Sequence, residues 1–403
     1  MRRRLLAAAA SFLLAVAGGR AAGPLSASGW GESQWLGGTA DQGRGGTGLA
    51  LLDSTRLSLR NPALFHASRL TRFQTGFGAT RSNVGDGATT ETFSARHLDS
   101  QAIGLPLLWQ GLHAGLLFQP VTSMDYLRAA RGSDSQGRDV VESLRGTGGL
   151  SRVGLNISRP LPGGWRAGLE LGLVFGSVLE EWKLFYPAAA PPYDSWVQRR
   201  RSLLGFQPRL GLFWQARPDL ALGLAGTLPG RADYTEDLEN LGNDVDEEVA
   251  SRRMDLPAEA GLGLAWRRGD WLSLLDLRLQ DWTGVELPAG SRADAPLAVA
   301  VGLELPASRE FTAPWHRRVS WRAGLRHEDG YVRQPAGEGW SDSGTWMATL
   351  GLGVPLKASG TWLDLALEAG RTGSGTDGAL EEDFLRVRLG FSARDLWFVR
   401  PTY

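Results

Sequence analysis

Along most of the chain apolar and polar residues alternate one by one. In one such segment Leu363, Leu365 and Leu367 share a face, whereas Asp364 and Glu368 lie on the other. A period of two is the signature of a β-strand with one apolar and one polar face. Segments of this kind predict about fourteen strands, at residues 70–79, 90–105, 111–119, 148–158, 164–178, 202–215, 219–228, 253–267, 270–282, 295–305, 317–328, 343–354, 361–371 and 383–393.

Short and long links alternate between these segments. The short links are 106–110, 159–163, 216–219, 268–269, 355–360 and an overlong member, 306–316. The long, polar links are 80–89, 120–147, 179–201, 229–252, 283–294, 329–342 and 372–382. Membrane barrels have tight periplasmic turns and extended external loops. The pattern therefore predicts an all-β protein, a transmembrane antiparallel β-barrel over residues 70–403.

Tryptophan is frequent, with 16 residues, and collects beside the short links. An aromatic girdle at the periplasmic interface would have this placement. The alternative is a set of core residues in a soluble β-sandwich. The tryptophans in question are Trp109, Trp165, Trp214, Trp266, Trp271 and Trp362.

The polar faces of the predicted strands carry charges of both signs, which would point into the lumen. They would form either a charged conduit or an ion-pair network that fills the lumen and holds the barrel rigid. The charged residues are Arg166, Glu170, Asp276, Arg278, Glu304, Arg322, Arg326, Asp364, Glu368, Arg386 and Arg388.

Residues 1–22 are typical of a cleaved secretory signal peptide. Arg2, Arg3 and Arg4 precede an apolar run that ends before Gly18, which is too short to span a bilayer comfortably as an anchor helix. We therefore expect export and a location in the cell outer membrane.

Composition excludes several other functions. Lys plus Arg equals Asp plus Glu at 43 each, and nucleic-acid binding normally needs a basic excess. Cysteine is absent, so no disulfide framework or thiolate zinc site is expected. The five histidines fall in no recognisable Ser-His-acid spacing. We predict no enzyme, no cofactor and no metal site.

Residues 23–69 lack sustained alternation, and glycines interrupt any regular element. The segment is nevertheless too apolar for a solvated tail, because Leu49, Leu57, Leu59 and Leu64 lie in it. A fourteen-stranded barrel is too wide for its own side chains to fill. The segment is therefore predicted to be a hatch inside the lumen.

Two motifs in this segment resemble the N-terminal hatch of the FadL-type outer-membrane transporters, a family for long-chain fatty acids and other hydrophobic compounds. That family has a glycine-rich turn, an acidic step and an Asn-Pro-Ala motif at similar spacings, although Ser54 replaces the usual second acidic residue. The matching residues are Gly43, Arg44, Gly45, Gly46, Gly48, Asp53, Asn61, Pro62 and Ala63.

The resemblance implies a passive, monomeric transporter of hydrophobic molecules such as fatty acids or aromatic hydrocarbons, in contact with outer-membrane lipids. A structural or secretion- and assembly-accessory barrel without transport is the alternative. Family members release their solute through a lateral gap, for which the candidates here are Gly104, Pro106 and Pro208; a simple bulge is the alternative at Pro208.

The link at 179–201 is rich in aromatic residues, unlike the acidic stretch 231–248. It is either an exposed surface that captures a hydrophobic ligand, a packed lid or an outer aromatic girdle. The candidate capture residues are Trp182, Leu184, Phe185, Tyr186, Tyr193 and Trp196.

Overall fold

The structure is a computed structural model of the 403-residue chain. It describes residues 29–85, 90–107, 111–133, 137–186, 194–240, 245–285, 287, 292–308, 310, 312–336, 339–341, 343–356, 360–373 and 380–395. The predicted signal peptide lies outside the described residues.

Fourteen antiparallel strands form the wall. In chain order they are Thr71–Gly85 (β1), Thr90–Pro106 (β2), His113–Pro120 and Thr122–Ser133 (β3a and β3b), Asp139–Pro160 (β4), Trp165–Phe185 (β5), Asp194–Arg217 (β6), Leu220–Thr227 and Gly230–Asn240 (β7a and β7b), Val245–Leu256 and Ala258–Arg268 (β8a and β8b), Trp271–Asp281 (β9), Leu297–Leu305 (β10), Ser320–Glu328 (β11), Thr345–Leu356 (β12), Thr361–Gly373 (β13) and Glu381–Asp395 (β14).

The wall closes because the first strand pairs with the last. β1 and β14 are paired over their whole length, from Thr71 opposite Asp395 to Gly85 opposite Glu381. Every remaining wall strand pairs with the strands that precede and follow it in the chain. The predicted fourteen-stranded barrel is confirmed. We call the end with the tight connections the short-turn end and the opposite end the hairpin end.

The two faces of the wall differ as the alternation predicts. Leucine, valine and phenylalanine side chains on the outer face are exposed, which gives a lipid-facing belt. Trp165 and Trp214 stack at the short-turn end with ring centroids 5.1 Å apart, and Trp266 and Trp271 are exposed near the same end. Trp362 departs from the expected girdle because its ring lies under the Arg56 guanidinium in the lumen. Trp109 lies outside the described residues.

The long links are less irregular than predicted. Much of 120–147, 179–201 and 229–252 continues the wall strands as tall hairpins, paired across β3b–β4, β5–β6 and β7b–β8a. The prediction of loops was wrong here because alternation weakens outside the lipid belt, where a hairpin has no need of a lipid-facing side. Backbone pairing extends the strands regardless.

The remaining elements are short. The N-terminal segment, residues 29–70, contains the two-residue strand Glu32–Ser33, the helix Thr39–Gln42 (α1) and the 3-10 helix Pro62–Leu64. Other 3-10 turns are Pro162–Gly164 and Trp315–Arg317, and further short strands are Arg292–Ala293, Val332–Ala336 and Gly339–Ser341. Among the described residues no helix is long and apolar enough to cross a bilayer.

The N-terminal segment lies against the inner faces of strands around the barrel. A Cβ added at Gly104, Gly168, Gly223, Gly302 or Gly390 would meet atoms of this segment. These five glycines belong to β2, β5, β7a, β10 and β14. The segment therefore occupies the lumen, and glycine on the wall gives its backbone the room to approach.

Candidate functional site: the N-terminal segment in the lumen

The glycine-rich motif forms a tight turn after α1. Gly45 and Gly46 have φ values of 72° and 84°, in the left-handed region that side chains with a Cβ rarely adopt. The turn contacts the wall through Thr349 of β12, whose hydroxyl accepts a bond from Gly45 N (2.8 Å) and donates to Gly43 O (3.2 Å). The glycines are thus required both by the backbone conformation and by this close approach.

Arginines of the segment pair with carboxylates on the inner wall between β9 and β13. Arg44 donates to Glu304 at 2.5 Å. Arg56 donates to both oxygens of Asp364, at 2.6 and 2.7 Å. All four side chains are buried. Burial opposes the charge of Arg44, yet Glu304 and Asp41 beside it raise its pKa above the usual range.

A third anchor uses both a side chain and the backbone. Asp276 of β9 lies 3.4 Å from Arg60 and accepts bonds from Gly48 N (2.9 Å) and Leu49 N (3.0 Å). The sequence placed Asp276, Glu304 and Asp364 on the lumen face, and this is confirmed. Of the interpretations left open there, the ion-pair network describes what the structure contains.

On the opposite side of the barrel the charged groups belong to the wall. Arginines of β5 and β6 donate hydrogen bonds to backbone carbonyls of the segment. Arg209 of β6 donates to Arg60 O at 2.7 Å, and Arg166 of β5 donates to Ala63 O at 3.1 Å and His66 O at 3.0 Å. Carbonyl groups that no regular element satisfies therefore find partners on the wall.

Asn61 joins the segment to itself and to the wall. Its carbonyl oxygen accepts from Ala63 N (3.0 Å) and caps the 3-10 helix Pro62–Leu64. Its amide donates to Leu49 O (2.8 Å) and to Leu212 O of β6 (3.1 Å). Asn61 is fully buried, so the Asn-Pro-Ala motif lies inside the barrel. Asp53 has its contacts within the segment itself, because its carboxylate accepts from Thr55 N and lies 3.4 Å from Arg56.

An apolar cluster fills the hairpin half of the lumen above the segment. Trp282 and Tyr331 come from links at this end, and their ring centroids are 4.3 Å apart. Tyr331 accepts from Trp30 N at 3.1 Å and donates to Gly31 O, so a link at the hairpin end holds the start of the described segment. Burial raises the pKa of the Tyr331 hydroxyl, which remains a donor. The cluster consists of Trp30, Met124, Tyr126, Leu150, Val174, Val178, Leu203, Ala232, Tyr234, Met254, Leu256, Trp282, Val285, Tyr331 and Val332.

The wall ladder is interrupted between β2 and the upper part of the next strand. β2 pairs with β3a only from Gln101 opposite Phe118 to Pro106 opposite His113. Within the described residues, no pairing joins residues 90–100 to β3b. The strand breaks at Val121, and the short strand Glu32–Ser33 of the N-terminal segment pairs with Ser123 and Thr122 beside the break.

The predicted gap residues lie elsewhere. Gly104 is opposite Gly115, and Pro106 is opposite His113, both in the paired stretch of β2. Pro208 is opposite Leu171 of β5, and its carbonyl accepts from Leu228 N at 3.0 Å, where β6 changes partner from β7b to β7a. Strand pairing is therefore continuous at Gly104 and Pro106. At Pro208 the bond from Leu228 N joins β6 to the adjacent strand.

Four of the six predicted capture residues lie in strands, and these four fall on both faces of the wall. Trp182 and Leu184 of β5 are half-buried, whereas Phe185 of β5 and Trp196 of β6 are exposed. Lys183 and Trp196 form a cation–π pair at 4.0 Å. Tyr186 directly follows β5, and Tyr193 lies outside the described residues.

Several residues of the site were not singled out from the sequence. Arg56 and Thr349 carry strong contacts to or from the segment, but neither stands in a recognisable motif. Trp35 is packed by three guanidinium groups, at 4.0 Å from Arg278, 4.5 Å from Arg326 and 4.6 Å from Arg60. In the described part of the chain no three His, Asp or Glu side chains gather as a metal site.

These features define an outer-membrane-type barrel of fourteen strands whose lumen holds its own N-terminal segment. The family model of BamG matches residues 1–403, and the chain belongs to the BamG family. No curated protein matches the chain in sequence.

Solved barrels of similar fold are distant in sequence. The toluene transporter TodX of P. putida shares 14% identity over 90% of this chain and 100% of its own, with a TM-score of 0.59. A FadL homologue of Pseudomonas aeruginosa shares 14% over 91% and 99%, with a TM-score of 0.61. The monoaromatic hydrocarbon channel CymD shares 13% over 89% and 98%, with a TM-score of 0.59. The resemblance to FadL-type barrels thus holds for the fold, whereas the sequence family is BamG.

Proposed function

We propose that the chain is a passive outer-membrane transporter for hydrophobic small molecules such as long-chain fatty acids or aromatic hydrocarbons. The N-terminal segment would act as a hatch that prevents straight passage through the lumen. A hydrophobic solute crosses a polar surface layer poorly, and an apolar interior lowers that barrier.

The observation that carries this proposal is the unpaired stretch between β2 and β3b. A fully paired barrel has no opening in its wall, because every backbone group is satisfied by the next strand. A solute that enters the apolar hairpin half and cannot pass the hatch can leave only through such an interruption. The strand Glu32–Ser33 lies at the same break, so a shift of the hatch would widen it.

The proposed route begins at the tall hairpins and continues through the cluster around Trp282 and Tyr331. Above the hatch lies a cavity of about 80 Å³, lined by polar and apolar side chains that include Glu32, Arg326 and Phe384. Ligand pockets are typically about 300–1,000 Å³. Side chains of the apolar cluster would therefore have to move aside to admit a solute.

A different observation supports a second candidate, a structural or secretion- and assembly-accessory barrel without transport. Buried ion pairs, such as Arg44 with Glu304 and Arg56 with Asp364, occupy the lumen where a transporter would hold an apolar pocket. The barrel would then serve as a rigid scaffold in the outer membrane.

Uptake separates the two candidates. Cells with and without the gene are given labelled oleate and labelled toluene, and we expect slower uptake of at least one solute in the deletion. A Trp282→Ala variant, which enlarges the path, is expected to restore uptake to the wild-type rate or above. Unchanged uptake of both solutes, together with altered amounts of other outer-membrane proteins, would favour the accessory function and overturn transport.

A further inference from the structure

The overlong link between β10 and β11 forms one side of a large cavity. The cavity lies at the short-turn end and measures about 1,010 Å³. This volume is at the upper end of the range that is typical of ligand pockets. We call it the vestibule. Its floor includes Leu51, Leu52 and Arg56 of the N-terminal segment, and Trp315 and Arg318 of the overlong link line its side.

The described part of this link is folded rather than extended. Ser308 N donates to Arg317 O at 2.6 Å, Ala307 N donates to the Ser320 hydroxyl at 3.0 Å, and the 3-10 turn Trp315–Arg317 lies between. Trp321 donates from its indole nitrogen to His316 O at 2.9 Å. These bonds hold Trp315 and Arg318 in place at the cavity.

The charges that line the vestibule are not balanced. Arg56 is bound to Asp364, and Glu304 is bound to Arg44 and Arg322. Among the described residues, Arg267 and Arg318 make no ion pair, and Arg318 Nε is buried without a hydrogen-bond partner.

A further arginine adds to the positive charge of the rim. Arg72 lines the vestibule, and within the described residues it donates to the carbonyls of Ser54 and Thr55. The acidic residues Asp53 and Glu310 also line it, but Asp53 is already engaged by Thr55 and Arg56. A buried guanidinium nitrogen without an acceptor is costly, and an anion in the vestibule would remove that cost.

Apolar surface lies beside these arginines. Leu51 and Leu52 of the floor, Leu272 of β9 and Val319 and Val354 of the sides line the same cavity. Leu52 is 41% exposed. The vestibule thus combines an apolar floor with a cationic rim, which complements a molecule that has both a hydrocarbon chain and a negative head.

We propose that the vestibule binds an anionic single-chain amphiphile. Its carboxylate or phosphate head is drawn to the rim at Arg267 and Arg318, and its chain lies on Leu51, Leu52 and Leu272. The vestibule lies at the short-turn end, beyond the N-terminal segment from the apolar hairpin half, so it is not a step on the proposed lateral route, and the proposed binding does not rest on the proposed function.

The test uses the purified full-length protein in non-ionic detergent and a laurate that carries a diazirine at its chain end. After irradiation the crosslinked peptides are identified by mass spectrometry. We expect labelling in residues 49–56 and 304–320, and a loss of at least about tenfold in the Arg267→Gln/Arg318→Gln variant, since one charge-assisted bond is worth roughly a factor of ten.

The matched control is Arg231→Gln/Arg253→Gln, which removes two exposed arginines at the hairpin end. It should label like the wild type. Heat-modifiable migration in gels checks that each variant is folded. The diazirine derivative of lauryl alcohol should label weakly, because it lacks the negative head.

Labelling that is equal in the wild type and the Arg267→Gln/Arg318→Gln variant, or equal for the acid and the alcohol, would overturn the proposal. So would crosslinks confined to the outer wall. Uptake by cells is measured separately. If the vestibule is labelled but deletion of the gene leaves the uptake of both solutes unchanged, the transport function is rejected and the binding site stands.

Discussion

Removing Arg56 tests whether buried ion pairs hold the N-terminal segment in the lumen. Its guanidinium makes two bonds to Asp364, at 2.6 and 2.7 Å, and its side chain is 7% exposed. Arg56→Met keeps much of the apolar stem and removes the charge. Of its bonds to described side chains, Asp364 then retains the one from Arg322 at 2.7 Å.

The expected cost follows from this geometry. Breaking a buried pair by removing one partner costs about 3–5 kcal/mol. Because Asp364 keeps Arg322, we take the lower value, about 3 kcal/mol, as the loss in the free energy that docks the segment. Each 1.4 kcal/mol is about a factor of ten, so the undocked population should rise roughly a hundredfold.

The chain has no cysteine, which makes thiol labelling a direct assay. Ala50 lies in the segment and is 1% exposed, so an Ala50→Cys substitution provides a buried reporter thiol. When docking is fast relative to labelling, the maleimide rate is proportional to the undocked population. Adding Arg56→Met should therefore accelerate labelling of the reporter thiol about a hundredfold.

The control is Arg371→Met. Arg371 donates to both oxygens of Asp383, at 2.8 and 3.1 Å, but its side chain is 57% exposed. Water and salt screen exposed pairs, so the labelling rate should stay within about twofold of the reporter alone. If Arg56→Met also leaves the rate within about threefold, the segment is not held by its ion pairs and our reasoning is refuted.

Three further predictions concern the same docked state. Gly324→Ala places a Cβ against the backbone of Gly45, which cannot give way, so labelling of the reporter thiol should accelerate by at least about tenfold. Asn61→Asp should lower the melting temperature more than Asn61→Ala, because the carboxylate cannot donate to Leu49 O and Leu212 O and brings a buried charge. Burial, with help from His113 and Arg72, lowers the pKa of His66 to about 3. Its folded pKa lies below the unfolded value, so this contribution to stability is fully present above about pH 6.5 and declines by about 1.4 kcal/mol for each unit that the pH falls from there toward about 3.

Each of these has its own comparison. For the glycine, Gly226→Ala is the control, since the nearest atom to its added Cβ is 3.6 Å away, and equal effects of the two would contradict the clash. For Asn61, thermal unfolding followed by gel migration should rank wild type above Ala above Asp; the reverse order of the variants would show that only the cap matters. For His66, the His66→Gln variant should lose acid sensitivity relative to wild type between about pH 6.5 and 5.

The position of the capture residues shows where local patterns fail. The aromatic link 179–201 reads as a loop because its alternation is weak, yet Trp182 lies in β5 opposite Val197 of β6. Strand pairing in a tall hairpin needs no lipid-facing side, so its sequence need not alternate. The faces on which Trp182 and Trp196 lie follow from register, which a sequence segment does not contain by itself.

The sequence alone determined the strand count, the lipid-facing and lumen-facing positions and the enclosed nature of the N-terminal segment. These follow from local chemistry: period-two alternation, an excess of glycine, and an apolar segment that cannot remain in water. Asp276, Glu304 and Asp364 were placed correctly for this reason.

Only the tertiary structure decided which groups meet. Arg56 and Asp364 are 308 positions apart, and no local pattern relates them. The interruption of the wall likewise depends on where β3 breaks and on the docking of Glu32–Ser33 against it, not on the residue types at Gly104 or Pro106. Closure of the barrel brings distant strands around one short segment, and long-range geometry of this kind selects each partner among many chemically equal ones.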